Sequence, residues 1–174
     1  MRGQTVTTEA NQTNERADLG VGPNALFFDE FSVGQAWKTP RRTITEADVS
    51  AFAGISGDFN PVHTDAEFAK STPFGTRIMH GPGVFAMATG LEFRLGLKEG
   101  TAIAFLGMTW ELRAPVKIGD TIYVHQRVSS TRQTKNPGRG IVNFWVEVRN
   151  QRDEVCQEGE WKVMFFARPT TQAA

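Results

Sequence analysis

Gly81-Pro82-Gly83-Val84-Phe85-Ala86-Met87-Ala88-Thr89-Gly90-Leu91-Glu92-Phe93-Arg94-Leu95-Gly96-Leu97 is the stretch on which the fold turns. From Gly81 to Leu91 it has no charged side chain, and Glu92 and Arg94 come only near its end. A helix this apolar around most of its circumference is one buried centrally. A buried strand conflicts with the length and with the run Ala86-Met87-Ala88. Pro82 falls in the first turn, where a helix tolerates proline best. Other layers must cover this helix, and the flanking sequence supplies them.

Downstream lie four strand candidates, Thr101–Arg113, Thr121–Ser130, Gly140–Arg149 and Val155–Ala167. Ile122/Val124/Val128 and Val142/Phe144/Val146/Val148 alternate as half-buried strands do. The links hold turn residues, as in Lys117-Ile118-Gly119-Asp120, Asn136-Pro137-Gly138-Arg139-Gly140 and Asn150-Gln151-Arg152-Asp153. Short links between long neighbouring strands imply antiparallel pairing. Upstream, Gln35–Thr43 reads as a further strand that Pro40 places at an edge or bend. The chain is therefore expected to be α+β, a curved antiparallel sheet of about five strands wrapped around one long apolar helix.

The 174 residues suit one domain, with 40% hydrophobic and 22% charged residues, as in globular proteins. Nineteen basic and nineteen acidic side chains cancel, so no overall field draws nucleic acid or an anionic membrane. Cys156 is the single cysteine and has no partner for an internal disulfide. No apolar run reaches the roughly 18 residues of a membrane helix, and no signal-peptide pattern opens the chain. A cytoplasmic protein is expected. Residues 1–24 have no aromatic side chain and read as a flexible tail, 25–168 as the domain, and 169–174 as a flexible end.

Between helix and tail lies the chemistry. Thr45-Glu46-Ala47-Asp48 opens a helix running to about Ile55, and Thr64-Asp65-Ala66-Glu67 opens a shorter one. The turn between them, Ser56-Gly57-Asp58-Phe59-Asn60-Pro61-Val62-His63, packs an acid, an amide and an imidazole together. Gly57, Asn60 and Pro61 are residues that hold irregular backbone, which can aim Asp58 and His63 at one point. Such a pair can position a water and move protons. A connecting turn with an incidental histidine is the plain alternative. A metal held by Asp58, His63 and Asp65 is another, although no third histidine or cysteine stands nearby in sequence. His80-Gly81 precedes the apolar helix, whose free N–H groups suit a carbonyl oxygen gaining negative charge. His125, between Val124 and Gln126 in a strand candidate, reads as a surface or sheet-face residue.

The run Phe52-Ala53-Gly54-Ile55-Ser56-Gly57-Asp58-Phe59-Asn60-Pro61-Val62-His63-Thr64-Asp65, with Ala69 and Phe74-Gly75, resembles the hydratase motif of the MaoC-like family. That family includes the (R)-specific enoyl-CoA hydratases and related acyl-thioester dehydratases. Ile78-Met79-His80-Gly81 and Ala114-Pro115-Val116-Lys117-Ile118-Gly119-Asp120-Thr121 extend the resemblance over about residues 27–167. It implies the hot-dog fold and assembly into homodimers or larger homo-oligomers. It also implies reversible hydration of a trans-2-enoyl-CoA to the (R)-3-hydroxyacyl-CoA. By the same resemblance Asp58 and His63 are the catalytic pair holding water, and Gly81 offers its N–H to the thioester carbonyl. Asn60 supports the loop, and Thr89 is the hydroxyl residue expected beside the catalytic acid. No cofactor or metal is expected beyond the coenzyme A of the substrate. Its phosphates need basic contacts, for which Arg77, Arg113, Lys117 and Arg139 are available. Pro82-Gly83 departs from the large apolar residues many relatives carry after His-Gly, which bears on acyl-pocket size. A hot-dog thioesterase and a non-catalytic acyl-thioester-binding subunit are the rival readings, since fold alone does not separate them.

Overall fold

The computed structural model describes residues 20–169. The tail expected over 1–24 lies outside the described residues as far as residue 19, and so does 170–174 of the expected C-terminal end. Packing extends upstream of the boundary expected at residue 25. Gly22 N–H donates to Glu99 O at 3.1 Å, and Val21 is buried with Ala25 and Phe27.

Seven strands, all paired antiparallel, form one sheet: β1 (Ala36–Lys38), β2 (Arg42–Thr43), β3 (Ala102–Met108), β4 (Glu111–Leu112), β5 (Thr121–Gln133), β6 (Arg139–Arg149) and β7 (Val155–Phe166). The order is β1-β5-β6-β7-β3, with β2 also on β5 and β4 also on β7. Two expected strands are each divided. Arg41 and Pro40, which lacks a donor, interrupt Gln35–Thr43, and Thr109-Trp110 separate β3 from β4. β5 runs on to Gln133, three residues past its expected end.

The helices are α1 (Glu46–Ser56), α2 (Pro61–Thr64), α3 (Ala66–Lys70) and α4 (Gly81–Phe93), after a 3-10 turn at Phe28–Glu30. α1 starts where Thr45 and Asp48 cap each other's backbone N–H groups and stops at Gly57, whose φ of 74° only glycine adopts readily. α2 is a single turn not expected from the sequence, and it carries His63. α4 ends at Phe93, short of Leu97.

α4 packs on one face of the sheet. Val84, Ala88 and Leu91 meet Val124, Val128, Val142, Phe144, Val146, Trp161, Val163 and Phe165 in one core. Along β6 the buried residues Val142, Phe144, Val146 and Val148 alternate with the partly exposed Asn143, Trp145, Glu147 and Arg149. Burying a Val, Leu or Phe contributes about 1.5–3 kcal/mol, so this face holds the helix centrally. Glu92 is also buried, and Lys98 pairs with its carboxylate; burial pushes the Glu92 carboxyl up while Lys98 opposes the shift.

Candidate active site

The loop from Gly57 to His63 is built by local capping. Ser56 Oγ accepts from Asp58 N–H at 3.2 Å, and Asp58 Oδ1 accepts from Asn60 N–H at 3.1 Å. Asn60 Oδ1 then accepts from Val62 N–H at 3.2 Å and caps α2, with Pro61 at its first position. These turns leave the second Asp58 carboxylate oxygen, Oδ2, facing His63. Oδ2 lies 3.9 Å from His63 Nε2, too far for a direct hydrogen bond and a span that one water can bridge.

The imidazole is fixed from behind. His63 Nδ1 lies 2.9 Å from the Ile78 carbonyl, which can only accept, so Nδ1 bears a proton and donates to it, and this bond turns Nε2 toward Asp58. The side chain of His63 is 12% exposed and that of Asp58 53%, so one partner is held by the fold and the other meets solvent.

His80, which the sequence reading left out of the site, belongs to it. Its ring stacks on His63 with centroids 3.7 Å apart and an interplanar angle of 26°. Its Nε2–H donates to the Asp58 main-chain carbonyl at 2.9 Å, and the residue is 1% exposed. It stands at the N-cap position of α4, and its ring bond to Asp58 joins that loop to the helix start. The signal available in sequence was its place one residue before Gly81.

Asp58, His63 and His80 offer ligand atoms within 4.8 Å of one another, bringing a second histidine to the metal reading weighed from sequence. The geometry fits a metal poorly. One nitrogen of each ring is engaged by a backbone carbonyl, and the lone pairs of near-parallel stacked rings lie in separate planes that do not converge on one point. Asp65 is turned to other work, since Oδ1 caps α3 through Glu67 N–H and Phe68 N–H.

Gly81 opens α4, and among the described residues its N–H meets no acceptor. Pro82 offers no N–H, so Gly81 and Gly83 supply the free donors at this positive helix end. Gly81 borders a cleft of 270 Å³ with Phe74, Ile78, Leu112, Arg113 and Gln157. A Cβ at Gly81 would stand 2.8 Å from Leu112 Cδ1, so a side chain here would crowd the wall of that cleft.

Thr89 is not brought to the pair. Its Oγ1 donates to Ala86 O at 2.7 Å, two turns along α4, and it lines a separate groove with Phe85, Glu92, Phe105 and Trp161. His125 lies in β5, 3.8 Å from Glu147 Oε2 and away from the pair. Among the basic candidates, Arg77 grips Glu46 bidentately at 2.6 Å, Lys117 donates to Phe74 O, and Arg113 pairs with Glu111 and Glu158. Of these only Arg113 borders the Gly81 cleft.

No helix among the described residues is long and apolar enough to cross a membrane. A model of the MaoC like domain matches residues 30–150. A 3-hydroxybutyryl-CoA dehydratase of Methylorubrum extorquens is 36% identical over 138 residues, which are 78% of this chain and 81% of that protein. An (R)-specific enoyl-CoA hydratase of Rhodospirillum rubrum is 35% identical over 143 residues, 82% of this chain and 93% of that one. A solved structure described as a monoamine oxidase regulatory protein from Archaeoglobus fulgius has a TM-score of 0.79 at 33% identity, covering 86% of this chain and 99% of the other. The family match runs from the 3-10 turn to the end of β6, taking in the whole Asp58–His63 loop and α4. The chain belongs to the MaoC-like dehydratase family and has the hot-dog fold.

Proposed function

We propose that this protein catalyses the reversible addition of water to a trans-2-enoyl-CoA, giving the (R)-3-hydroxyacyl-CoA. The observation that carries the reading is the 3.9 Å separation between Asp58 Oδ2 and His63 Nε2. A water in that gap donates one hydrogen to each, which turns its own lone pairs outward toward substrate. Its oxygen bonds to Cβ and the C=C π pair moves into the thioester as an enolate. One proton passes from the water to the pair, and one is returned at Cα. The Gly81 N–H, at the positive end of α4, donates to the enolate oxygen; a donor of this kind is worth about 3–4 kcal/mol in the transition state. The names of the two relatives quoted above support both the thioester carrier and the (R) outcome.

The same reading includes self-association. β3 ends the β1-β5-β6-β7-β3 path, and Phe105, Leu106 and Met108 on it are 48%, 43% and 48% exposed. An apolar edge of this kind favours a second copy. Light scattering on the purified chain is expected to give a dimer or larger assembly, and a monomer would contradict this.

The test of the reaction is a short trans-2-enoyl-CoA, with loss of the conjugated absorbance followed and the product resolved on a chiral column. (R)-3-hydroxyacyl-CoA is expected, absent with Asp58→Ala and with His63→Ala while both variants remain folded. Near-normal turnover in either variant refutes the assigned pair. Release of free coenzyme A would assign a thioesterase instead. Silence with short, longer, branched and dicarboxylic enoyl-CoAs would favour an acyl-thioester-binding subunit.

A further inference from the structure

Gln157 stands out in β7. It faces inward in phase with Trp161, Val163 and Phe165, it is 3% exposed, and it is an amide where its neighbours on that face are apolar or glycine. Both ends of the amide are used. Trp110 Nε1–H donates to Gln157 Oε1 at 2.9 Å, and Gln157 Nε2–H donates to the Gly81 carbonyl at 3.0 Å. The indole is itself wedged between rings, 5.5 Å from Phe85 and 5.5 Å from Trp161 by centroid distance. A chain of hydrogen bonds therefore runs from the Thr109-Trp110 break in the sheet to the first residue of α4.

We propose that Gln157 is a positioning residue for the hydration reaction, holding Gly81 so that its N–H keeps one direction. This rests on the hydratase reading of the site. Glycine has more backbone freedom than any other residue, and at the first position of a helix it has few intrahelical bonds to restrain it. Pro82 and Gly83 follow, so the first turn of α4 has little side-chain packing of its own. On one side of Gly81, His80 is tied to the Asp58 carbonyl, and Val84 N–H closes on the His80 carbonyl at 3.0 Å. On the other side the tie is Gln157. An oxyanion donor acts only when aimed at where the charge develops, and small misplacements lower the rate steeply.

Gln157→Met keeps side-chain length and apolar packing while removing both hydrogen bonds, and Trp110→Phe keeps an aromatic ring and removes the first. Steady-state kinetics on a trans-2-enoyl-CoA should show kcat about tenfold lower for Gln157→Met with KM changed less than about twofold, since ground-state binding is untouched. Trp110→Phe should give a smaller loss of kcat, and the double variant should be no worse than Gln157→Met alone, because both act through one chain. Hydrogen exchange at the Val84 amide should quicken in Gln157→Met relative to wild type. Wild-type kcat in Gln157→Met, or additive losses in the double variant, would overturn the proposal. Should the wild-type protein not hydrate enoyl-CoA, the hydratase reading fails and the positioning role in that reaction falls with it. Val84 exchange then reports on the restraint separately, and exchange unchanged in Gln157→Met refutes that too. If Gln157→Met does not fold, Trp110→Phe decides by the same two measurements.

Discussion

Replacing Gly159 by alanine probes the seam between the sheet break and the site. Gly159 lies in β7 facing Thr109 and Trp110. A Cβ built there would stand 2.0 Å from the Thr109 carbonyl oxygen, 2.8 Å from its carbon and 3.0 Å from Trp110 Cα. All three are backbone atoms, so no side-chain rotation relieves the clash, and the segment must retreat by about 1 Å to reach even a tight contact. That movement strains two bonds, Thr109 N–H to Glu160 O at 3.0 Å and Glu160 N–H to Thr109 Oγ1 at 3.2 Å. Overpacking of this kind costs about 1–3 kcal/mol and each weakened bond up to about 1 kcal/mol, so Gly159→Ala is expected to destabilise by about 1–5 kcal/mol. Gly54→Ala is the control. Gly54 lies inside α1 with nothing within 4 Å of the new Cβ, and alanine there should stabilise by about 0.5–1 kcal/mol. Urea unfolding of the three proteins measures both, with the slope checked for constancy. Gly159→Ala unfolding within about 0.5 kcal/mol of wild type would refute the steric argument.

Two further outcomes are expected from buried groups that the reaction does not use. Gln126 is fully buried in β5, and neither of its amide atoms has a partner among the described residues. Gln126→Leu should therefore stabilise by about 1–2 kcal/mol in urea unfolding, and a loss of stability would show that the amide is satisfied. Burial, with Glu154 and Asp120 adding to it, pushes the Cys156 thiol up from 9.0 to about 11. An acid whose folded pKa is raised stabilises fully below its unfolded value. That stability is lost as pH rises from near 9 toward about 11, where the unfolded chain releases a proton that the native one retains. Unfolding at several pH values across that window should show a steeper decline for wild type than for Cys156→Ala, and equal slopes would refute the assignment.

Much of the local architecture was legible in the chain because it is decided over a few residues. Thr45 with Asp48 and Gly57 bound α1, and Asn60 with Pro61 shapes the loop, each through bonds no more than three residues apart or a backbone angle. The alternation along β6 told which face was inward, since the side-chain period of a strand is 2. The division of β3 from β4 was not legible, because Thr109-Trp110 leave the ladder through contacts with Gly159 and Glu160, about fifty residues away, whereas the bend between β1 and β2 is marked in the chain itself by Pro40. The α2 turn was missed because four residues are too few for a periodic pattern.

The site divides in the same way. The sequence by itself determined that an acid and an imidazole share one short loop, and that a glycine opens an apolar helix, since these are matters of spacing and of residue type. Only the tertiary structure decided what surrounds them. His63 is oriented by Ile78, fifteen residues on; His80 stacks against it; and Gln157 reaches Gly81 from β7. It also decided that Thr89 faces a different groove. The physical reason is that a hydrogen bond or a ring contact between distant residues depends on strand order and register. Those are settled by how the whole sheet closes around α4, not by the residues that make the contact.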